Sequence, residues 1–336
     1  MKTRDSRFEV LRIFSIFLII IYHFSLYVPW HHSVTGVKTI GAFVFLPYGQ
    51  IGVKLFGLIT GYFMIQKKDT IYKNIRKIKK VWLEVFFYSL VIEIILQVVF
   101  GLRVINLVKS MLPMLLNEYW FATAYVLVVM LSPFINLVIV QIDKKMQATL
   151  LILCVIMSEI LPVLNNVVVV DARGLMVLIT SYIVGAYIHQ NNIHIKNYIN
   201  MICVFGGLIS IYLSYFILFK LGFAMRKIDH FSVGILSLIV ALGIFSIVVN
   251  RAPFYSRGIN LVATTTFASY LISEQASFRS YLWNNIFNFS TQGSNLLNCF
   301  LLGVLAASSI MVFSFCIDFI RQKCFLLITR NYTRRT

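Results

Sequence analysis

Two ionisable residues on a strongly apolar segment near the N-terminus, Arg12 and His23, are the clearest candidates for chemistry. They belong to the run LRIFSIFLIIIYHF, in which the ten residues between them are apolar apart from Ser15 and Tyr22. An imidazole, with its pKa near neutrality, suits a general base that takes a proton from a hydroxyl. Ionisable residues are costly in such a segment, so we favour a functional role for His23 over a structural one.

Helical spacing places these residues on one face. Eleven residues advance a helix by about 1100°, or three turns and about 20°, so Arg12 and His23 lie about 16 Å apart along the axis. Glu9 lies one turn before Arg12 on nearly the same face, and we expect the two side chains to pair. Arg12 is near the end of the segment. This position by itself favours a structural interpretation, in which the side chain extends back to the lipid headgroups.

The composition of the chain indicates that these residues are carried by helices in a membrane. The 336-residue chain is 59% hydrophobic and only 12% charged, whereas soluble domains average about a quarter charged residues. Several segments run for about 20 residues without a strong charge, the length that crosses the hydrocarbon core. These runs are too long and continuous for barrel strands, and backbone groups in lipid must be satisfied internally. The predicted fold class is all-α, a polytopic bundle of membrane helices.

Ten spans are predicted, at about 8–28, 49–66, 81–102, 118–140, 148–164, 173–189, 198–219, 231–250, 258–274 and 295–320. An even number of crossings puts both termini on one side of the bilayer. About two thirds of the lysines and arginines lie on that side, so the positive-inside rule predicts cytoplasmic termini in a cell membrane. This topology explains the net charge of +18 without a nucleic-acid partner. Residues 1–336 are predicted to form a single integral membrane domain without an appended soluble domain.

A general base also needs a partner that orients it, and carboxylates in or near the predicted spans are the candidates. They are Glu93, Glu118, Glu159, Asp171 and Glu274. Glu274 ends the ninth predicted span at a depth compatible with His23, so we predict it to be the partner. Glu93 lies mid-span, where a structural hydrogen bond is the simpler expectation. The five cysteines have no C-x-x-C spacing, and we predict no metal site.

Several motifs, in order, resemble those of the membrane acyltransferase-3 family. Arg-x10-His on the first span resembles the family signature. Later family motifs are similar to GVKLFGLITGYFM at 52–64, YWFATAYVLVVMLSPFIN at 119–136 and ASYLISEQASFRSYLW at 268–283. The resemblance covers most of the chain. It implies an integral membrane enzyme that moves acyl groups, often acetyl, from cytoplasmic acyl-CoA to sugars of cell-surface polymers.

Two positions depart from the family pattern. The stretch NIRKIKKVWLEVFFYS, at 74–89, lies where the family has an Arg-x-x-Arg pair. That pair is Arg76 and Lys79 here, so its second member is a point charge and not a planar fork. In the late span, Ser273 stands where many relatives have His, while Glu274 is kept. A serine hydroxyl can donate or accept a hydrogen bond in place of that His.

The resemblance implies a role for each matched position. His23 is expected to act as the general base and Glu274 as its partner, with acetyl-CoA as the acyl donor and co-substrate. Arg76 and Lys79 are expected to bind the CoA phosphates, and Arg12 to contact the donor from the face that carries His23.

Trp120 lies in a matched motif and is expected to contact the acceptor, a glycan or lipid-linked saccharide. The basic run from Lys67 to Lys80 also has a purely topological interpretation, which is compatible with phosphate binding. Two other classes of function stay open: a transporter of lipid-linked sugars, and a non-catalytic scaffold in polysaccharide synthesis. A transporter explains ten spans and surplus cations equally well, but it does not explain the ordered motifs.

Overall fold

The computed structural model describes residues 4–30, 43–66, 71–101, 104–116, 118–164, 174–223, 225–289 and 295–333. Within these ranges all regular structure is helical, and no β-strand occurs. The prediction of an all-α protein is therefore confirmed. His31, His32, Asp171 and most of the segment between the first two predicted spans lie outside the described residues.

The described residues contain thirteen α-helices and two π-helical turns. The α-helices are α1 (Ser6–Tyr27), α2 (Leu46–Met64), α3 (Ile71–Phe100), α4 (Val104–Met111), α5 (Trp120–Gln141), α6 (Lys144–Val155), α7 (Leu161–Leu164), α8 (Leu175–Gln190), α9 (Asn197–Lys220), α10 (Met225–Val249), α11 (Arg257–Glu274), α12 (Ala276–Tyr281) and α13 (Leu296–Thr333). One π-turn, Ile156–Ile160, joins α6 to α7, and the other, Leu282–Ile286, follows α12.

Among the residues that the structure describes, six helical segments are long and apolar enough to cross a membrane. They are Ser6–Tyr27, Tyr72–Phe100, Trp120–Gln141, Asn197–Lys220, Phe231–Val249 and Leu296–Leu327. The other four predicted spans are largely helical over their described residues but fall short in length or apolar content. A polytopic helical membrane protein is consistent with these helices. Ten crossings and cytoplasmic termini stay predictions.

Helix α1 lies at the centre of the bundle, where it packs against α2, α11 and α13, and α2 in turn packs against α8. Glycines permit the closest of these approaches. A Cβ atom at Gly61 in α2 would collide with the backbone of Tyr182, and one at Gly185 in α8 would collide with the backbone of Leu58. Small residues at such crossings are a common basis of helix packing in membranes.

Helices α1 and α11 begin side by side and run in the same direction. The backbone amide of Ser6 donates to the carbonyl of Phe254 at 2.9 Å, which holds the start of α1 beside the segment that leads into α11. His23 follows Ser6, and Glu274 follows Arg257, by the same 17 residues, or about 25 Å of helix. The two side chains therefore reach the same height in the bundle.

Candidate active site

The predicted base and its predicted partner meet in the interior of the bundle. Nδ1 of His23 lies 3.1 Å from Oε1 of Glu274, and the side chains are 3% and 2% exposed. The contact is within ion-pair distance but does not meet the geometry of a hydrogen bond, and neither atom has a hydrogen-bond partner among the described residues. Catalytic hydrogen bonds are often poorly aligned before substrate binds. The geometry therefore fits an imidazole with its orienting carboxylate.

The second oxygen of Glu274 is held by Tyr27 and Arg279, which the sequence did not assign to the site. The Tyr27 hydroxyl donates to Oε2 of Glu274 at 3.4 Å, and Nη1 of Arg279 donates to the same oxygen at 3.3 Å. Tyr27 follows His23 by four residues, so its shared helix face was a signal that could have found it. Arg279 lies beyond a break between two helices, which hid its proximity.

That break is built by Gln275, between α11 and α12. Its φ and ψ of −59° and 123° interrupt the helix, and its side-chain oxygen accepts the amide hydrogen of Phe278 at 2.7 Å. Its side-chain nitrogen donates to Oε2 of Glu93 in α3 at 2.9 Å. Glu93, expected to be a structural hydrogen-bond partner, thus holds the turn that brings Arg279 back over Glu274.

Ser273, the position where many relatives have His, is buried next to Glu274 in α11. Its hydroxyl donates to the carbonyl of Tyr270 at 3.3 Å. The hydroxyl is therefore directed back along its own helix and not toward His23.

Trp120 is half-buried at the start of α5, with its ring 6.0 Å from that of Phe121. In the described part of the chain no hydrogen bond or ring contact joins it to His23 or Glu274. The neighbouring Tyr119 is fully buried, and its ring lies 6.2 Å from that of Tyr270 in α11. Phe121, also fully buried, lies closer still, with its ring 5.3 Å from that of Tyr270. Of this motif, Tyr119 and Phe121 therefore pack against the helix of Glu274, whereas no such contact is seen for Trp120 among the described residues.

A cavity of about 870 Å³ lies between α1, α3, α11 and α13, near the starts of α1 and α11. Its charged lining residues are Arg4, Asp5, Glu9, Arg12, Lys80, Glu84 and Arg321. Arg12 donates to Glu9 at 2.5 Å, which confirms the pairing predicted from their spacing. Because Arg12 also lines the cavity, it can face a ligand as well as its carboxylate partner.

Arg321 in α13 forms part of the cavity wall and was not predicted from the sequence. Its Nη2 lies 2.8 Å from Glu84 in α3, and its Nε lies 2.6 Å from Asp318. The hydroxyl of Tyr88, also in α3, donates to Asp318 at 2.6 Å. This network joins α3 to α13 and fixes the guanidinium at the edge of the cavity.

The predicted phosphate-binding pair, Arg76 and Lys79, has exposed side chains on α3 and is not among the residues that line this cavity. Lys80 does line it. Successive residues of a helix point about 100° apart, so Lys79 and Lys80 face different directions. Arg76 lies one turn nearer the start of α3. The structure therefore brings Lys80, rather than the predicted pair, to the cavity beside Arg12.

His23 does not line the cavity either. It lies 11 residues beyond Arg12 on α1, about 16 Å along the axis. The residues Ile16, Ile19 and Ile20 between them are buried. The cavity and the His23–Glu274 pair are therefore separate places along α1, with buried side chains between them.

Comparisons with known proteins agree with the resemblance carried by the motifs. A family model for the acyltransferase-3 family, described as an acyltransferase domain, matches residues 5–319. No curated protein and no solved structure matches the chain. The matched region includes the residues of α1 and α11 that line the cavity, and it includes His23 and Glu274. The chain therefore belongs to the acyltransferase-3 family and is a membrane acyltransferase.

Proposed function

We propose that this acyltransferase is an O-acetyltransferase. It moves an acetyl group from cytoplasmic acetyl-CoA to a hydroxyl of a cell-surface polysaccharide or of its lipid-linked precursor. The observation that carries the proposal is the buried contact between His23 and Glu274, 3.1 Å long, in a chain of this family. An imidazole oriented by a carboxylate is the usual form of a general base for a hydroxyl nucleophile.

The proposed reaction uses the two nitrogens of His23 differently. Nδ1 faces Glu274, so Nε2 takes the proton of the acceptor hydroxyl as the oxygen attacks the thioester carbonyl. The carbon–sulfur bond then breaks, the acetyl group passes to the acceptor oxygen, and the CoA sulfur receives the proton from His23. Glu274 holds the reactive tautomer and stabilises the imidazolium that forms.

The donor is assigned to the cavity beside α1, with its acyl end extended toward His23. Arg12, Lys80 and Arg321 line that cavity, and guanidinium and ammonium groups suit phosphate recognition. Arg76 and Lys79 remain candidates for a more peripheral contact with the CoA phosphates. This assignment is consistent with cytoplasmic termini, because the cavity lies at the end of the bundle where α1 begins.

The acceptor is assigned to the opposite end of the bundle, where His23 and Glu274 approach the ends of their helices. Trp120 stays a proposed acceptor contact, since it starts α5 half-buried at that end and an aromatic ring suits a sugar face. With both termini on the cytoplasmic side of the cell membrane, as predicted, a glycan would reach this end of the bundle from outside the cell.

The test is release of free CoA by the purified protein in detergent, with acetyl-CoA and a panel of simple glycosides and lipid-linked saccharides as acceptors. We expect acceptor-dependent CoA release that His23→Ala reduces by about 10²-fold or more, with the protein still folded by melting temperature. His194→Ala is the matched control, because His194 is exposed and contacts only Asn250 among the described hydrogen-bonding residues.

Unchanged CoA release in His23→Ala would show that His23 is not the base. Movement of a lipid-linked sugar across vesicles without acyl donor would instead support a transporter. A protein that neither releases CoA nor transports, yet is required for polysaccharide assembly, would support a scaffold.

A further inference from the structure

Arg279 connects the buried His23–Glu274 pair with the surface at the end of the bundle opposite the N-terminus. Its side chain is 31% exposed, whereas that of Glu274 is 2% exposed. Nη1 of Arg279 donates to Oε2 of Glu274 and to the hydroxyl of Tyr27, both at 3.3 Å. The guanidinium carbon also lies 4.7 Å from the centre of the Tyr27 ring. Arg279 therefore bonds to the pair and covers it at the same time.

A carboxylate buried as deeply as Glu274 is costly unless a positive group balances it. The ionisable groups that contact it or interact with it electrostatically are His23 and Tyr27 from α1, Tyr119 before α5, Tyr270 from α11, and Arg279 from α12. Glu118, also before α5, acts on Arg279 and Tyr119. Among these described groups, Arg279 is the permanent cation. His23 becomes positive only when it takes a proton during the proposed reaction.

We propose that Arg279 is a positioning residue for acyl transfer and the cover of the His23–Glu274 pair. It acts through Glu274: together with Tyr27 it holds Oε2, so that Oε1 is presented to Nδ1 of His23. Because it lies between the pair and the surface, an acceptor from that side must pass or displace it. This inference rests on the proposed function.

The short helix that carries Arg279 is itself held from α3. Gln275 donates to Glu93 and accepts from the amide of Phe278, and both Gln275 and Glu93 are buried. A carboxyl group this deep, with no part in the proposed chemistry, is explained if it fixes α12 and thereby Arg279. Glu93→Leu should therefore reproduce the effects of an Arg279 substitution in weaker form.

The first test separates positioning from donor binding and from folding. Arg279→Gln should lower kcat for CoA release on the order of tenfold to a hundredfold. It should change the KM for acetyl-CoA little, because the donor cavity lies at the other end of α1. Arg279→Lys should recover part of kcat, and added guanidinium ion should recover part of the activity of Arg279→Ala, which a purely structural loss would not allow.

The second test needs no acceptor and no turnover, so it stands even if the proposed function fails. Diethyl pyrocarbonate modifies unprotonated imidazoles, and mass spectrometry of the peptides reports each histidine separately. Arg279→Ala should raise the modification rate of His23 several-fold, while exposed His194 serves as the internal reference. Lys109→Gln, which removes an exposed cation from α4, should leave both rates unchanged.

Wild-type kcat in Arg279→Gln together with an unchanged rate of His23 modification in Arg279→Ala would overturn the inference, even if His23 proves essential. If His23→Ala keeps full activity, it is the proposed function that fails. Should Arg279→Ala not fold, kcat and the rate of His23 modification are measured in Arg279→Lys and Tyr27→Phe. Each of these substitutions weakens the contact to Glu274 with little change in volume.

Discussion

The bundle contains a second buried ionic contact, between Lys54 and Glu159. It differs from the His23–Glu274 contact in how completely its hydrogen-bonding groups are paired. Nζ of Lys54 lies 2.7 Å from Glu159, 2.8 Å from the carbonyl oxygen of Gly234 and 2.7 Å from the hydroxyl of Ser237. An ammonium group has three hydrogens to donate, and here each has an acceptor. The group is therefore fully satisfied although its side chain is 1% exposed.

The His23–Glu274 contact leaves hydrogen-bonding capacity unused. Nδ1 of His23 and Oε1 of Glu274 are close but lack a completed hydrogen bond, and the bonds from Tyr27 and Arg279 are long. A buried polar network in which every group is paired holds a structure rigid, whereas this one is only partly paired among the described residues. The comparison supports a structural role for Lys54 and is consistent with the proposed catalytic role of His23.

The location of the Lys54 contact supports this difference. Glu159 lies in the π-turn Ile156–Ile160, and Gly234 has φ and ψ of −43° and −108°, which kinks α10. A kink frees a carbonyl from the helical ladder, and in the interior of a membrane protein that carbonyl needs another donor. Lys54 supplies it, so the contact fastens α2 to two irregular helices.

The largest effect that tests this comparison is expected from Lys54→Met. The substitution leaves Glu159 buried without its cation, and we expect a loss of about 3–5 kcal/mol of stability. The double variant Lys54→Met with Glu159→Leu should recover most of it. Unfolding in detergent measures both. A Lys54→Met protein that keeps its stability but loses kcat would place Lys54 in the chemistry and remove the distinction.

Replacing each of the two glutamates by glutamine should separate an effect on kcat from an effect on stability. Glu274→Gln keeps the size of the side chain but removes the charge that holds the His23 tautomer, so kcat should fall by about 10²-fold with little loss of stability. Glu159→Gln should do the reverse, lowering the melting temperature while kcat per folded molecule is retained. Equal effects on kcat at both positions would contradict the assignment.

A smaller effect is expected at the donor cavity. Lys80→Gln should raise the KM for acetyl-CoA by a few-fold, the equivalent of about 1 kcal/mol, because Lys80 lines the cavity. Lys79→Gln removes the same charge one residue away and should raise KM less. The opposite order in steady-state kinetics would mean that the CoA phosphates bind outside the cavity.

The smallest effect is expected from Ser273→Ala. Its hydroxyl is bonded within α11, so we expect kcat within about twofold of wild type, since removing such an exchangeable local bond costs little. A large loss of kcat in the CoA-release assay, with unchanged melting temperature, would show that Ser273 takes the role of the family histidine.

Contacts within one helix could be predicted from the sequence. The pairing of Glu9 with Arg12 follows from a spacing of one turn, and the structure confirms it at 2.5 Å. Glu274 was predicted as the partner of His23 from matching depths in two spans. Their actual contact also required α1 and α11 to start at one level, where the amide of Ser6 bonds to the carbonyl of Phe254.

The fold class and the family of this protein could be inferred before the fold was seen, because apolar composition, helix-length runs and ordered motifs are local properties of the chain. Two arrangements could be seen only in the folded bundle: Arg279 and Tyr27 hold Glu274, and Lys80 and Arg321, but not Arg76 and Lys79, line the cavity. The reason is physical: these contacts join residues far apart in the chain, and they depend on how helices rotate and turn against one another. No periodicity within a single segment encodes that arrangement.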